Sequence, residues 1–252
     1  MHGFNFTWTG AWNDPPANHV LNLPYNTRKE MQSGHVKMLE VFGSDLTVVN
    51  AARVSFAKET ANIGPRDENL IKYLANHNHI SPFFHPQIRF RLKMPIFIAR
   101  EWYRHTVGFS RNEVSRRYVN DPPECWVPSP EDIRERDTNK KQGSKDTAIK
   151  DAEEIHTILK ETTTILEDVY DKLLVAGVAP EIARVILPQS MYTEFIETGS
   201  LYGYARLCSL RQDPQAQKEI RDYANAVSEA LSAAFPYSWA ALTGSTPKSS
   251  YP

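Results

Sequence analysis

Between two prolines, residues 87–94 read Gln-Ile-Arg-Phe-Arg-Leu-Lys-Met. The alternation puts Ile88, Phe90, Leu92 and Met94 on one face and Gln87, Arg89, Arg91 and Lys93 on the other. That period of two is the mark of a strand with one face in the core and one face in water. No other segment constrains the fold as tightly. Pro95 then stands where a first helical residue is tolerated, and "PIFIAREWYRH" continues as a helix. Arg104 and His105 therefore fall near the end of a helix that starts inside the core.

Other elements are read around this strand. "HVKMLEVFG" predicts a second strand, with Val36, Met38 and Glu40 opposite Lys37, Leu39 and Val41. Ser44 or Asp45 caps a short helix through Ala52. "RDENLIKYLANHNH" predicts a helix with Leu70, Ile71 and Leu74 on one side. Ile155, Ile158, Leu159, Ile165, Leu166, Val169 and Leu173 keep helical spacing over about five turns of ~3.6 residues, and Gly177 ends that helix. Pro180 opens "PEIARVIL", which Pro188 stops. "SLYGYARLCSL" and "AQKEIRDYANAVSEALSAAF" predict two more helices. Residues 1–33, rich in Asn, Pro and aromatics, predict an irregular extension. Pro128 to Asp151 predict a solvated loop or frayed helix. The expected organisation is this extension, a single α+β domain over residues 34–240 and a tail over 241–252.

Composition narrows the function. The chain has 252 residues and a formal net charge of -1. A chain of this length buries a core without disulfide staples. Its two cysteines, Cys125 and Cys208, lack metal-like spacing and predict unpaired thiols in a reducing compartment. No basic segment followed by an apolar one marks a signal peptide, and no apolar run approaches the ~18 residues of a membrane span. A cytoplasmic protein without membrane contact is expected. Near-neutral charge also argues against a nucleic-acid coat, which would be strongly basic.

Against that neutral background, "EWYRHTVGFSRNEVSRRYVN" at 101–120 holds Arg104, Arg111, Arg116 and Arg117, just after Arg100. Arginine offers a planar fork of donors suited to phosphate and carboxylate. Ser110, Asn112 and Ser115 add neutral donors, and Glu113 can orient the cations. The bland alternative is a solvated loop whose arginines pair with nearby carboxylates. Arg184, inside an apolar pattern, and Arg211, at a helix C-terminus where the dipole favours a cation, extend the cationic set. His77, His79 and His85 lack the spacing of common metal sites, so no metal is expected.

These residues resemble a family. "RHTVGFSRNEVSRRY" is similar to the signature of the flavin-dependent thymidylate synthases: Arg-His-Arg, seven or eight residues, then Ser. Here it runs Arg104, His105, Thr106, then on to Ser115. "AARVSF", "HNHISPFFH", "PIFIAREWYRH", "IARVILP", "MYTEF" and "SLRQDPQAQKEI" agree in order and spacing, so the resemblance covers roughly His35 to Phe235. It implies that family's fold, a mixed or antiparallel sheet with long helices. It implies conversion of dUMP to dTMP with methylenetetrahydrofolate as carbon donor, FAD as hydride carrier and NADPH as reductant. It implies a homotetramer with intersubunit sites and no cysteine nucleophile. By resemblance Arg211 activates the uracil. Glu101, Arg104, Ser115, Arg116, Arg117 and Arg184 join Arg211 around the nucleotide, with Arg117 on the phosphate. His79, Ser81, Arg104, His105, Thr106, Glu113, Ser200, Tyr202 and Arg206 lie toward the flavin.

The chain also departs from the pattern. Thr106 stands where the family usually has Arg, and Arg111, in a loop one residue longer, is the candidate replacement. Glu101 stands where Gln is common and needs an arginine partner beside an anion. Ser200, Tyr202 and Arg206 replace Asn, Arg and Asn, and Gln215 replaces His. Arg206 is read either as a compensating cation or as a helix-surface residue. Two other readings stay open: a related flavin- and folate-dependent enzyme that methylates or hydroxymethylates another pyrimidine nucleotide, and a nucleic-acid-binding module.

Overall fold

The computed structural model describes residues 28–119, 121–138 and 143–245. Its first elements are a hairpin of β1 (Arg28–Met31) and β2 (Gly34–Phe42). Gly34 has φ +136°, and a Cβ there would collide with the Lys93 carbonyl oxygen, so glycine is required. β1 falls within the stretch predicted to be irregular. "RKEM" has no apolar alternation, and its pairing with β2 makes it a strand; residues 1–27 lie outside the described residues. β2 follows its predicted span, with a bulge between Met38 and Glu40. The bulge corrects the expected faces. Val36 and Met38 point inward at 2% and 3% exposure, then Val41 rather than Glu40 takes the inward side opposite Ile88.

α1 (Asp45–Arg53) is capped by Ser44, whose hydroxyl accepts from Leu46 N at 3.2 Å. Asp45 is used elsewhere: it accepts from the Tyr237 and Ser238 amides at 3.1 and 2.8 Å. α2 (Pro65–Asn76) buries Ile71 and Leu74, as its spacing predicts. Next come β3 (Gln87–Pro95), α3 (Ile96–Trp102) and β4 (Phe109–Glu113). Ile88, Phe90, Leu92 and Met94 of β3 are each 0% exposed, and full burial of such side chains is worth roughly 1.5–3 kcal/mol apiece.

The stretch predicted as loop or frayed helix contains a hairpin, β5 (Arg134–Arg136) and β6 (Ser144–Ala148). Its anchor is electrostatic, which apolar periodicity does not reveal: Arg134 reaches Glu219 at 2.6 Å and Asp132 at 3.0 Å. α4 (Ala152–Val175) is the predicted long helix. The predicted "PEIARVIL" helix is shorter than expected: α5 (Pro180–Ala183) gives way to a 3-10 turn at Arg184–Ile186. β7 (Tyr192–Ser200) is not among the predicted strands, because polar residues occupy both of its faces. α6 (Leu201–Arg211), α7 (Lys218–Ala234) and α8 (Pro236–Thr243) follow. α8 carries the helical body past residue 240, where the tail was expected to begin.

The main sheet has the order β1-β2-β3-β7-β4, and every neighbouring pair is antiparallel. Its inner face packs with Leu207, Tyr223, Val227, Leu231 and Trp239 from the last three helices. The fold is α+β, as expected, but the strand that pairs with both β3 and β4 comes from the second half of the chain. Among the described residues, no helix is long and apolar enough to cross a membrane.

Candidate active site

α3 ends at Trp102, and the chain turns through residues 103–108 before entering β4. β4 pairs with β7, and β7 runs straight into α6. This connection sets the turn against α6 and leaves an open cavity of about 440 Å³. Arg104, His105, Thr106 and Phe109 line one side, and Gly203, Arg206 and Arg211 line the other. A Cβ on Gly203 would meet the Phe109 ring at 3.3 Å, so the small residue lets the helix approach that ring.

Arg211 is the last residue of α6. Its Nε donates to His105 Nε2 at 2.9 Å, and one Nη donates to the Glu101 carbonyl oxygen at 2.9 Å. The other Nη lies 3.4 Å from the Glu101 carboxylate. Glu101 thus has the arginine partner that an acidic residue beside an anion site needs. These contacts leave one N–H on each terminal nitrogen of Arg211, since a guanidinium has five donors. His105 accepts at Nε2, so its ring proton sits on Nδ1. Burial, then the Arg211, Arg111, Arg206 and Arg104 charges, hold its pKa down to about 4. The ring is therefore neutral near pH 7.

The cavity gathers Arg104, His105, Thr106, Arg206 and Arg211 of the expected set, with Glu101 attached through Arg211. Arg206 faces this cavity, which favours the compensating cation over the plain surface residue. Arg111 does not stand in for the missing third arginine. It pairs with Glu197, which is 0% exposed, and its guanidinium carbon lies 4.9 Å from the Phe109 ring centroid and 5.5 Å from that of Tyr103. The pairing partner lies on β7, and the strand register places Arg111 directly opposite it.

Other expected site residues lie apart from the cavity within one chain. Ser200 is buried at 1% exposure and caps α6, accepting from Gly203 N at 3.1 Å; its hydroxyl therefore has a structural job, with the O–H left as a donor. Tyr202 packs on Phe84 at 5.2 Å between centroids. His79 stands edge-on to Tyr73 at 5.9 Å, and Ser81 opens a short 3-10 turn. Glu113, at the far end of β4, accepts from Thr193 Oγ1 at 2.5 Å. It lines a second, smaller cavity of about 100 Å³ with Arg91, Asn112 and Glu194. Ser115 Oγ accepts from Arg117 N at 3.3 Å, and the Arg117 guanidinium sits 5.1 Å from the Tyr118 ring. Arg116 turns back on its own loop and donates to the carbonyl oxygens of Asp121 and Pro122, so within this chain it serves the loop. Arg184 is exposed and donates to the Glu181 carbonyl at 3.3 Å.

The sequence reading did not single out Phe109, Gly203 or the Glu197 network. A glycine inside the helical pattern "SLYGYARLCSL" is the one local signal for the close approach. Neither thiol is an activated nucleophile. Burial and the neighbouring Glu167 push Cys125 up to about 12, and burial pushes the fully enclosed Cys208 up as well.

An open cavity with three arginines, a neutral histidine and an aromatic wall at the join of sheet and helix is the arrangement of a protein that receives an anionic, ring-bearing ligand. The chain belongs to the thymidylate synthase complementing protein family, whose profile matches residues 37–237. It is 37% identical over 219 residues to the flavin-dependent thymidylate synthase of Wolbachia pipientis wMel, covering 86% of this chain and 76% of that protein. It is 37% identical over 212 residues to the enzyme of the same name from Thermus thermophilus, covering 84% and 76%. Among solved structures, a UMP/dUMP methylase, PolB from Streptomyces cacaoi bound with 5-Br dUMP, superposes with a TM-score of 0.75 at 30% identity. That match covers 85% of this chain and 97% of the other.

Proposed function

We propose that this chain is a flavin-dependent thymidylate synthase that methylates dUMP to dTMP, with methylenetetrahydrofolate as carbon donor and NADPH as reductant. One observation supports the reading above others. Arg211 is held at three points, by His105 and Glu101, with a donor left on each terminal nitrogen beside the cavity. Carbon 5 of uracil is a poor nucleophile. Two parallel N–H donors at the ring carbonyl and N3 would stabilise the negatively polarised ring without covalent attachment. Glu101 offsets part of the Arg211 charge and fixes its plane. Neutral His105 orients it without adding a repelling charge and keeps Nδ1–H as a further donor.

The donor set also fits FAD. Arg104 and Arg206 offer forks for its phosphates, and Phe109, seated against Gly203, offers an apolar wall. When bound and reduced, FAD supplies the hydride that completes the methyl group. His79, Ser81, Glu113 and Tyr202 are assigned to the flavin side, and Ser115, Arg117 and Arg184 to the nucleotide. These residues lie outside the cavity of one chain, so we assign them to sites completed by neighbouring subunits of a homotetramer. Exposed Ile158, Leu159 and Ile165 on α4, with Ile182 at 60% and Val185 at 83% exposure beside Arg184, support a second copy covering that face. The unpaired Cys125 and Cys208 suit a reducing, cytoplasmic setting.

The name of the PolB relative favours a second reading, in which UMP is also a substrate. The test is to load purified protein with FAD and supply NADPH and methylenetetrahydrofolate with dUMP, UMP or dCMP. The products are then read by mass spectrometry. Methylated dUMP supports the proposal, methylated UMP the second reading, and hydroxymethylated nucleotide a related transfer. Protein that binds no flavin and alters no pyrimidine overturns all of them.

A further inference from the structure

One buried charged group has no part in the chemistry above. Glu197 stands in the middle of β7 with 0% exposure. Trp102 Nε1 donates to both of its carboxylate oxygens at 3.2 Å, and Arg111 Nε pairs with it. The buried Tyr204 hydroxyl lies beside the same carboxylate. A buried ion pair is a poor stabiliser, since apolar residues of similar volume often serve as well or better. Its presence asks for another reason.

The geometry supplies one. Trp102 ends α3, Arg111 lies on β4, Glu197 on β7 and Tyr204 on α6. Those elements carry the cavity residues: Arg104 and His105 follow α3, Phe109 opens β4, and Arg206 and Arg211 come from α6. The Phe109 ring is fixed on several sides. Tyr204 meets it edge-on at 4.9 Å, and the Arg111 guanidinium lies 4.9 Å from its centroid. Gly199 and Gly203 form its slot, because a Cβ on Gly199 would come within 2.5 Å of the ring. The same pairing keeps Arg111, the fourth cation of this region, out of the cavity. Its charge still acts on His105 from there.

We propose that the Glu197–Arg111 pair is a positioning device. It holds the Phe109 wall and the Arg104–His105 turn against α6 and fixes the number of cations that face the ligand. Neither residue is assigned a ligand contact, and the proposal rests on the reading of the cavity as the flavin and nucleotide site.

The test uses the FAD-loaded enzyme and the variants E197Q, R111M, the double variant and R111K. Melting temperature, kcat, KM for dUMP and the bound-flavin absorption band are measured for each. E197Q and R111M each leave a buried group without its partner and should lower both melting temperature and turnover. The double variant is charge-neutral and should regain melting temperature. Its turnover should stay on the order of 100-fold low, the loss that a misplacement of about 1 Å brings. KM should be nearly unchanged, and the flavin band should be displaced from that of the unmodified protein. R111K keeps the charge and loses the flat face toward Phe109; it should stay folded and show the same loss in kcat. The proposal is overturned if the double variant regains turnover together with melting temperature, or if R111K turns over like the unmodified enzyme. Failure of the underlying reading looks different, because the unmodified protein would then bind no flavin and methylate nothing.

Discussion

Arg211 and Arg111 both belong to the cationic set that stands out in the sequence, and the fold sends them to opposite fates. Arg211 ends α6 beside an open cavity, oriented by His105 and Glu101, with donors to spare. Arg111 is stacked on Phe109 and neutralised by a fully buried carboxylate. Burial of the partner, rather than the arginine itself, separates a ligand-facing cation from a structural one. Glu101 is partly exposed and leaves Arg211 polar donors to offer, whereas Glu197 is enclosed and ties Arg111 inward.

The contrast predicts different kinds of loss. E197A strands the Arg111 charge in the interior and should cost about 3–5 kcal/mol in denaturant unfolding. A cost under about 1 kcal/mol would place the pair among surface ion pairs and remove the contrast. R206A removes a cavity cation and should leave stability nearly unchanged. It should weaken FAD binding by about 10- to 100-fold in a fluorescence titration, as loss of a hydrogen bond to a charged group does. Equal destabilisation by R206A and E197A would mean that both arginines are structural.

A third prediction concerns a histidine outside the cavity. His35 is 4% exposed, and its pKa is held down to about 4, first by burial and then by Arg28, with Lys93 and Arg91 adding to the effect against an opposing Glu30. Below its ordinary value of 6.5 the unfolded chain takes up a proton that the folded chain refuses until about 4. Stability should therefore fall as pH drops through that window. H35Q should flatten that part of the stability-against-pH curve; an unchanged slope would assign the acid loss to other groups. His105 shares the direction and should keep part of the slope. The smallest effect is expected for R184A. Stability should stay within about 0.5 kcal/mol, as at most surface sites, while dUMP binding weakens. Unchanged binding would remove Arg184 from the site.

Particular residues show why some of this was legible. The alternation at 87–94 announces β3 because all four inward side chains are apolar. β7 hides because its inward positions include Thr193 and Glu197, which only the folded context explains. The cavity residues Arg104, His105 and Arg211 follow from the signature and from the end of a helix. The fate of Arg111 does not follow, since its partner is 86 residues away and the pairing depends on the register of β4 with β7. Ser200 likewise reads as a ligand donor by position in the family pattern, and that position says nothing of the helix cap its oxygen also makes. Ser115 and Arg117 lie in a loop and Arg184 in a short 3-10 turn, where no apolar period in the sequence fixes the direction of a side chain.

The decisive measurement is tritium release from 5-tritiated dUMP by the FAD-loaded enzyme and its R211A variant, with NADPH and methylenetetrahydrofolate supplied. The account predicts that R211A lowers release by about 10²- to 10³-fold, the loss typical of removing a transition-state donor, with dUMP binding weakened less than turnover. Release from R211A at the rate of the unmodified enzyme would contradict it.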